Sequence, residues 1–488
     1  MRRKAPAVIS VVAALTWCLA ASMVFVLLDG VRVAAMGQFL EDRIHLTCRN
    51  TMANYQKELY EEYGLLGVDE AFSQSGEGSW DVVESMLRGE WEYEKELERK
   101  NQSTHSVFST RVNLLNYPSV EVGDSVYQVL SDGGGEVFLR QASAYMTALL
   151  PDLETEELLG EYSELETVQQ GKDMEQIYRE ASGALQTAGE LLEQYRDKGA
   201  DLSVVGLEKN SMTSVEKQRK DPVLDLVLPN REISSAYMDV IQAPSHRSLQ
   251  KGTMPAGSVT TQEKLLGICY CSRMFPDFLS DALGQEMGSS IRKQQESGLR
   301  YQMEYLIAGK SSDRENLSSV CSKLLLIREA VQLSRYCADP QQNARAYTEA
   351  MALVGFTGNP ALIKAVRLGL LAAWSFEEAV QDVQDLLEGK TVGLMGTVTS
   401  AQYGYRDYLK FLLFLKPAGL MAMRSMDIIE KHVNAKLESG SFHVDRTITA
   451  MQGSAEAKIP WLFVNLITVP VESWKTCRKS VSWSEDYY

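Results

Sequence analysis

One uninterrupted apolar segment near the beginning of the chain constrains the fold more than any other feature. Residues 5–28 carry no charge and follow the basic residues Arg2, Arg3 and Lys4. As a helix with a rise of about 1.5 Å per residue, this segment measures about 36 Å, which is enough to cross a hydrocarbon core of about 30 Å. The sequence contains no second segment of this kind. We therefore predict a single transmembrane helix, with the lipid bilayer as its partner through residues 5–28.

Two other interpretations of the segment fit less well. A cleaved signal peptide has an apolar core of only about 7–15 residues, although residues 20–22 (Ala-Ala-Ser) would make an acceptable cleavage site. A lipoprotein signal needs a small residue before its cysteine, whereas Trp17 precedes Cys18. An uncleaved anchor is therefore favoured. The positive-inside rule then keeps the basic N-terminus in the cytoplasm and places the C-terminal body outside the cell, as a single-pass protein of the cell membrane.

The helical pattern continues beyond the apolar segment. Apolar residues recur at spacings of three and four, which predicts an amphipathic helix; they are Leu40, Ile44, Cys48, Met52, Tyr55, Leu59 and Tyr63. Gly64 and Gly67 are the predicted stop signals. Asp29 and Arg32 lie one turn apart at the end of the apolar segment, as either an ion pair or two separately solvated charges. We therefore predict a long helical stalk, partly in lipid and partly packed on the body.

Three blocks of sequence resemble a known family. They are residues 27–36 (LLDGVRVAAM) together with 55–69 (YQKELYEEYGLLGVD), residues 304–317 (EYLIAGKSSDRENL) and residues 405–409 (YRDYL). They resemble a family of uncharacterised single-span membrane proteins of Gram-positive bacteria, whose genes tend to accompany tight-adherence (Tad/Flp) pilus genes. The N-terminus also resembles the minor pseudopilins TadE and TadG. Because the family has no established biochemical activity, the resemblance implies a pilus or secretion apparatus as the setting, and no particular mechanism.

The sequence departs from the pilin pattern in one respect. Processed type IV pilins carry a glutamate near the start of their apolar segment, and that residue takes part in assembly. In this chain no acidic residue precedes Asp29. The departure argues against cleavage by a prepilin peptidase and against packing into the core of a fibre.

The remaining sequence predicts a mainly α protein with a minor β part, which is an α+β fold. The predicted order is a cytoplasmic tip and transmembrane helix (1–40), a stalk helix with a first α+β portion (41–150), a coiled-coil-like helix (151–200), an irregular linker with short strands (201–262), a helical domain (263–440) and a small C-terminal β-element (441–488). In this arrangement the transmembrane helix continues into the stalk, and the helical body follows.

Local patterns support individual elements of this order. Residues 174–195 form an alanine-rich heptad seam, which predicts a close helical partner. An antiparallel helix of the same chain is favoured over an intermolecular coiled coil. Residues 119–130 and 223–228 are predicted as strands, and a turn is predicted at 131–135. Residues 368–374 are apolar on every side but closely flanked by charges, which predicts a core helix rather than a membrane span.

Two prolines and an aromatic cluster complete the local predictions. Asp339-Pro340 and Asn359-Pro360 each predict the start of a helix, the second running to about residue 387. Residues 409–423 predict one buried, kinked helix. The C-terminal residues combine strand patterns with Trp474, Trp483, Tyr487 and Tyr488. We predict a small β-element docked on the helical body, although exposed aromatics of this kind also mark interaction surfaces.

Charge and motifs argue against several function classes. The formal net charge of −16 disfavours nucleic acid as a partner, because binding it requires clustered cations. On a helix, Cys269 and Cys271 would point to nearly opposite faces, so buried thiols are favoured over a zinc site or a disulfide. No histidine is paired at a metal-ligating spacing, and no hydrolase, protease or nucleotide-binding motif is present. We therefore predict no enzyme, no cofactor, and no catalytic, cofactor-binding or metal-binding residues.

These observations favour a non-enzymatic, membrane-anchored extracellular component that serves structure or assembly in a Tad-like pilus or secretion apparatus. Its partners would be other proteins of that complex. The first alternative is a membrane-anchored ligand-binding or sensor module, which a pocket with converging polar groups within residues 261–437 would support. The second alternative is an envelope hydrolase with an unrecognised site.

Overall fold

The structure is a computed structural model of the 488-residue chain. It describes residues 5–70, 119–150, 160, 162, 174–197, 211–229, 231–282, 298–393, 402–437, 442–461 and 476–487. Residues 467–471 of the predicted C-terminal β-element, together with Trp474 and Tyr488, lie outside the described residues.

Helices account for most of the described residues. In chain order they are α1 (Ala5–Met52), α2 (Lys57–Tyr63), α3 (Asp132–Leu149), α4 (Met174–Asp197), α5 (Ser211–Gln218), α6 (Val223–Val227), α7 (Thr261–Met274), α8 (Phe278–Ala282), α9 (Gln302–Ala308), α10 (Asp313–Ala338), α11 (Pro340–Val354), α12 (Pro360–Leu387), α13 (Tyr405–Phe414) and α14 (Ala418–Lys436). The strands are β1 (Val68–Asp69), β2 (Ser119–Val129), β3 (Val392–Gly393), β4 (Gln402–Tyr403), β5 (Thr447–Pro460) and β6 (Thr476–Asp486).

The fold is α+β and mainly helical, which confirms the predicted class. The chain forms two compact units. Unit 1 comprises Met1–Asp132, Leu249–Ala256 and Leu437–Tyr488, and unit 2 comprises Gly133–Ser248 and Gly257–Lys436. The predicted boundaries follow one another along the chain, whereas these two units are interleaved, because the chain leaves unit 1 at residue 132 and returns to it twice.

Unit 1 contains a four-stranded antiparallel sheet in which the long strand β5 is central. β2 pairs with one edge of β5 and β6 with the other, so Val122, Ala455 and Val481 occupy neighbouring positions across the sheet. β1 adds two further pairs at the beginning of β5. The C-terminal strands were predicted as an element of their own. Instead, they complete a sheet whose other strands precede unit 2 in the sequence.

The second half of α1 packs on this sheet. Met36 and Leu40 contact Ala457 and Ile459 in one apolar cluster. A second cluster continues towards the end of the helix and contains Ile44, Cys48, Met52, Val68, Tyr127, Val129, Ile448, Met451, Ala455, Val481 and Trp483. Trp483 is therefore a core residue, and the alternative that it belongs to an exposed interaction surface is wrong.

The stalk helix ends earlier than predicted. α1 stops at Met52, and the separate helix α2 begins at Lys57. The interruption has a tertiary cause, because the Gln56 N–H donates to the Gly67 carbonyl instead of continuing the helix, and the Tyr487 hydroxyl donates to the Met52 carbonyl. The predicted stop at Gly64 is confirmed, since this residue caps α2 with a left-handed φ of 65°.

Residues 249–256 return to unit 1 and bind beside β2. The Gly252 N–H donates to Asp132 Oδ1 at 3.0 Å. A Cβ atom at Gly252 would lie 2.6 Å from the Tyr127 carbonyl oxygen, so only glycine allows the two backbones to approach this closely. Gln250 Nε2 donates to both carboxylate oxygens of the buried Glu70, at 3.0 and 3.2 Å. This part of the predicted irregular linker (201–262) is thus bound beside the sheet.

Unit 2 is organised around α12. This helix contacts α4, α5, α6, α10 and α11. Leu370 and Leu371, at its centre, are fully buried. The prediction that residues 368–374 belong to a protein core is confirmed. Both proline-initiated helices are also confirmed, because the side chains of Asp339 and Asn359 cap α11 and α12.

The alanine-rich helix α4 packs antiparallel against α12, within the same chain, as predicted. The Tyr178 hydroxyl donates to the Ala372 carbonyl at 2.8 Å. One turn further along α4, Ala181 approaches Gly369 so closely that a Cβ atom on the glycine would lie 2.3 Å from the alanine Cβ. The buried residues of α4, among those described, are Ala181, Ala184, Ala188 and Leu192.

Two further predictions for unit 2 need correction. Residues 223–228 were predicted as a strand, but they form the short helix α6, which buries Leu224 and Val227. A short apolar run fits either element, and Pro222 at the N-cap position favours the helix here. The predicted kinked helix at 409–423 is two helices, α13 and α14, separated at Pro417, whose ring cannot continue a helix.

Candidate functional site

The first half of α1 presents a continuous apolar surface. Its large side chains are exposed, with 77% of Trp17 and 69% of Ile9 accessible. Among the helices of the described ranges, α1 is the one that is long and apolar enough to cross a membrane. Exposed apolar surfaces of this size mark contacts with membranes or proteins. The helix is therefore compatible with a single membrane span and with a lipid bilayer as its partner.

A buried ion pair marks the end of this surface. Arg32 Nη1 lies 3.4 Å from Asp29 Oδ1 and donates a hydrogen bond to the Pro460 carbonyl at 2.9 Å. The Asp29 side chain has no exposed surface. Of the two alternatives for these residues, the structure therefore contains the ion pair. Because Pro460 is the last residue of β5, the pair lies where α1 leaves the sheet.

Further polar side-chain pairs join the sheet-bound half of α1 to β6. Lys479 Nζ lies 3.7 Å from Glu41 Oε2. Glu485 Oε1 lies 3.3 Å from His45 Nδ1 and 3.2 Å from Arg49 Nε. These partly exposed pairs contribute little stability each, but they fix the position of the helix along the strand.

In unit 2, a buried polar cluster brings together two of the three sequence blocks that carry the family resemblance. Glu304 belongs to the block 304–317 and Tyr405 to the block 405–409. The Tyr405 hydroxyl donates to Glu304 Oε1 at 2.7 Å, and the Phe278 N–H donates to the same oxygen at 2.9 Å. Glu304 is fully buried, and its Oε2 has no hydrogen-bond partner among the described residues.

An ion pair beside Glu304 connects the same segments. Arg406 Nε donates to Asp277 Oδ2 at 2.7 Å. The other oxygen of Asp277 accepts hydrogen bonds from the N–H and the hydroxyl of Ser280, at 2.9 and 2.8 Å. Two consecutive residues of one block, Tyr405 and Arg406, thus hold α8 and α9 against α13.

Burial dominates the electrostatics of Glu304. It raises the pKa of the carboxyl group to about 8, and the neighbouring Asp277 carboxylate acts in the same direction. Hydrogen bonds from Phe278 and Tyr405 oppose the shift but do not cancel it. The group is therefore mainly protonated at neutral pH. Since no part of Glu304 is exposed, its geometry indicates a structural role in joining the blocks.

We expect the stability of the protein to fall as the pH rises from about 4.5 to about 8, because Glu304 has a higher pKa folded than unfolded. The folded state then binds more protons, so unfolding becomes easier by up to about 1.4 kcal/mol per pH unit. Glu304→Gln should flatten this profile, even if its amide lowers stability at every pH. Urea denaturation across this range is the measurement. Glu190→Gln, at an exposed position, should retain the wild-type slope. A Glu304→Gln profile as steep as that of the wild type would contradict the assignment.

A second buried cluster in unit 2 is centred on Arg328 of α10. Its guanidinium donates to Asp382 of α12, to the Tyr408 hydroxyl and to the Gly393 carbonyl. Burial raises the pKa of Tyr408, whereas the positive charge of Arg328 opposes this shift. Tyr408 belongs to the block 405–409, so this block contributes to both clusters.

Neither cluster was predicted as a site from the sequence. Glu304 and Arg328 lie within otherwise apolar helical segments, and a charge in such a position is rarely buried unless it is paired. This signal could have identified the two residues. It could not have identified their partners, which are 101 and 54 residues away for Tyr405 and Asp382. The expected absence of catalytic, cofactor-binding and metal-binding residues remains a prediction.

Fold and site together define a mainly helical α+β protein with one apolar helix suited to a membrane. The chain belongs to the Family of unknown function (DUF5702), whose model matches residues 206–403 and 399–459, just over half of the sequence. The match includes the blocks 304–317 and 405–409, whereas the blocks 27–36 and 55–69 lie outside it. No match to the chain was found among curated proteins or among solved structures.

Proposed function

We propose that the protein is a non-enzymatic, membrane-anchored extracellular component of a Tad-like pilus or secretion apparatus. The division of α1 at Asp29 carries the proposal. One half of the helix is exposed and apolar, and the other half forms part of the core of unit 1. Because a single helix does both, no flexible linker separates the membrane segment from the sheet. Such a junction suits a subunit that transmits force or position, whereas a tethered enzyme does not need it.

The basic residues Arg2, Arg3 and Lys4 support a cytoplasmic N-terminus, and both units would then lie outside the cell. The resemblance of residues 27–36 and 55–69 to pilus-associated proteins supports the setting. Protein partners in the apparatus are part of the same proposal.

A membrane-anchored ligand-binding module is the second candidate function. An open cavity of ≈ 430 Å³ in unit 2 favours it, because five of its seven described lining residues are polar or charged. Most of its lining residues fall within residues 261–437, the region in which a polar pocket was expected to support the ligand-binding function.

Deletion of the gene, in a host that carries it and assembles surface pili, should abolish or strongly reduce piliation counted by electron microscopy. The full chain should restore piliation, as should a Leu326→Ala control at an exposed position. A secreted body in which a cleavable signal peptide replaces residues 5–28 should not. Unchanged piliation after deletion would sink the proposal, and altered turnover of cell-wall fragments instead would favour the hydrolase alternative.

The orientation of the chain in the membrane can be tested separately through the native thiol of Cys337, which is exposed. A membrane-impermeant maleimide should label it in intact cells, and Cys337→Ser should lose that signal. Arg3→Cys in the Cys337→Ser background should react only after lysis. The opposite pattern would reverse the orientation and place both units in the cytoplasm.

A further inference from the structure

Four cations of unit 2 come from two parts of the chain that lie side by side, because the Arg424 guanidinium packs against Gly309, the residue before Lys310. This cation cluster consists of Lys310 before α10, Lys323 on α10, Lys416 between α13 and α14, and Arg424 on α14. The pKa of Lys323 is lowered to about 8, first by burial and then by the charges of the other three cations. Like charges repel one another. The fold thus holds together four groups that would be more stable apart.

No carboxylate of the described residues lies within ion-pair distance of the cation cluster. Lys323 Nζ donates instead to Ser319 Oγ at 3.3 Å, and Arg424 Nη1 donates to the Leu306 carbonyl at 2.9 Å. Both of these acceptors are neutral. Arg328, on the same helix as Lys323, is by contrast paired with an aspartate. Among the described residues, no carboxylate therefore pairs with these cations, three of which are half-buried while Lys310 is exposed.

One acidic residue does influence the cluster from a distance. Burial lowers the pKa of Arg424, whereas Tyr305 and then the Asp427 carboxylate act in the opposite direction. Its two oxygens are occupied by hydrogen bonds from Ser245 and Tyr305, at 2.6 to 2.8 Å. Asp427 therefore reduces the net charge near Arg424 but does not pair with Lys323.

The open cavity of ≈ 430 Å³ adjoins this cluster. Among the described residues it is lined by Pro222, Leu224, Lys310, Arg314, Glu315, Ser318 and Ser319. Lys310 belongs to both the lining and the cation cluster, and Ser319 accepts the hydrogen bond from Lys323. The lining offers two cations and two hydroxyl groups against one carboxylate, that of Glu315.

Clustered cations beside hydroxyl groups are the chemistry that recognises phosphate, whose several oxygens accept charge-assisted hydrogen bonds. The chain as a whole has a net charge of −16, which repels anions at long range. Attraction at this cluster must therefore come from short-range contacts. A cavity of this volume accommodates a small molecule rather than a bare ion.

We propose that the cation cluster and the adjoining cavity bind the phosphate group of a small phosphate-bearing molecule. The phosphate would supply the missing counter-charge to Lys310, Lys323, Lys416 and Arg424 and accept hydrogen bonds from the serines of the lining. This inference goes beyond the proposed function, and neither depends on the other.

The probe is pyrophosphate, titrated by calorimetry into the full chain in a nonionic detergent and a phosphate-free buffer at pH 7. The wild type should bind saturably. Lys323→Gln/Lys416→Gln should bind about tenfold more weakly or not at all, because two of the charge-assisted contacts are lost. The matched control Lys364→Gln/Lys390→Gln removes the same total charge from exposed positions and should bind like the wild type.

Absence of saturable binding to the wild type would overturn the proposal, as would equal losses in the cluster variant and the control. Because Lys323→Gln/Lys416→Gln relieves repulsion, its thermal unfolding midpoint should not fall, whereas a purely structural role predicts that it does. If this variant fails to fold, Arg314→Gln replaces it, since Arg314 lines the cavity and is exposed. Wild-type affinity in Arg314→Gln would then count against the site.

Competition distinguishes the two possible sources of the phosphate group. Glycerol 3-phosphate and micelle-embedded phosphatidylglycerol are each added at equal concentration before pyrophosphate. Competition by glycerol 3-phosphate identifies a soluble ligand. Competition by the lipid alone identifies a headgroup at the membrane surface. If neither competes and sulfate displaces pyrophosphate equally well, the site recognises charge without selecting phosphate, and the proposal is wrong.

Discussion

Replacing Arg328 by methionine should lower the free energy of unfolding of unit 2 by about 3–5 kcal/mol, the typical cost of removing one partner from a buried ion pair. Arg328 is 1% exposed and donates from Nε and Nη2 to Asp382 Oδ2, at 2.9 and 2.7 Å. Its Nη1 donates to the Gly393 carbonyl at 2.9 Å and to the Tyr408 hydroxyl at 2.8 Å. Methionine would replace the apolar part of the side chain and none of these donors.

The cost should arise mainly from the carboxylate left behind. Without Arg328, Asp382 retains the hydrogen bond from Gln332 Nε2, at 2.6 Å, but no positive partner. Arg328→Met/Asp382→Leu should therefore recover part of the lost stability. Arg179→Met, at an exposed pair whose side chains are 75% and 84% accessible, should change stability by only about 0.5 kcal/mol.

Urea denaturation of the full chain in a nonionic detergent, followed by circular dichroism, compares the four proteins. A double variant no more stable than Arg328→Met would show that the unpaired carboxylate is not the cause. If Arg328→Met had the same urea midpoint as the wild type, the buried cluster would not contribute to the stability of unit 2.

Helix boundaries set by local chemistry were predictable from the sequence. Asp339 and Asn359 each accept a hydrogen bond from a backbone N–H two residues on, and a proline occupies the first helical position after each of them. These interactions involve only neighbouring residues, so the sequence contains all of the information. The same reasoning explains why α12 begins where the pattern placed it.

Elements defined by distant partners were predicted less well. β5 lies at the centre of its sheet because β2, more than 300 residues earlier, pairs with it, as in the Thr449 hydroxyl donating to the Gln128 carbonyl across 321 residues. Nothing local in either strand encodes this pairing. The break after Met52 has the same kind of cause, since Gly67 and Tyr487 supply the hydrogen bonds that end the helix.

For the polar clusters, the sequence allows the residue to be identified but not its partners. The glutamate inside the apolar helix α9 can be recognised from the sequence, whereas its surroundings in the fold cannot. The raised pKa of Glu304 depends on burial by surrounding elements and on Asp277, 27 residues away along the chain. The cation cluster is also not evident from local sequence, because its members come from two distant stretches, residues 310–323 and 416–424, of a chain that is acidic overall.

Replacing Leu371 by alanine should destabilise unit 2 by about 2–5 kcal/mol, from lost burial and from the cavity left behind. Leu371 is 1% exposed and lies in the all-apolar stretch of α12, the helix that contacts five others. Its neighbours are held in place from several sides, so the site can collapse only partly around alanine. The thermal unfolding midpoint of the full chain in a nonionic detergent measures the effect.

Leu326→Ala is the matched control, because this leucine is 44% exposed on α10 of the same unit and its truncation leaves no enclosed cavity. It should shift the midpoint far less than Leu371→Ala. In bilayers, a lipid-soluble photoreactive probe should label α1 and leave residues 368–374 unlabelled, since charges flank that stretch too closely for lipid. If Leu371→Ala and the wild type had equal thermal unfolding midpoints and residues 368–374 were labelled, α12 would be a second membrane span. The assignment of this helix to the core of unit 2 would then be wrong.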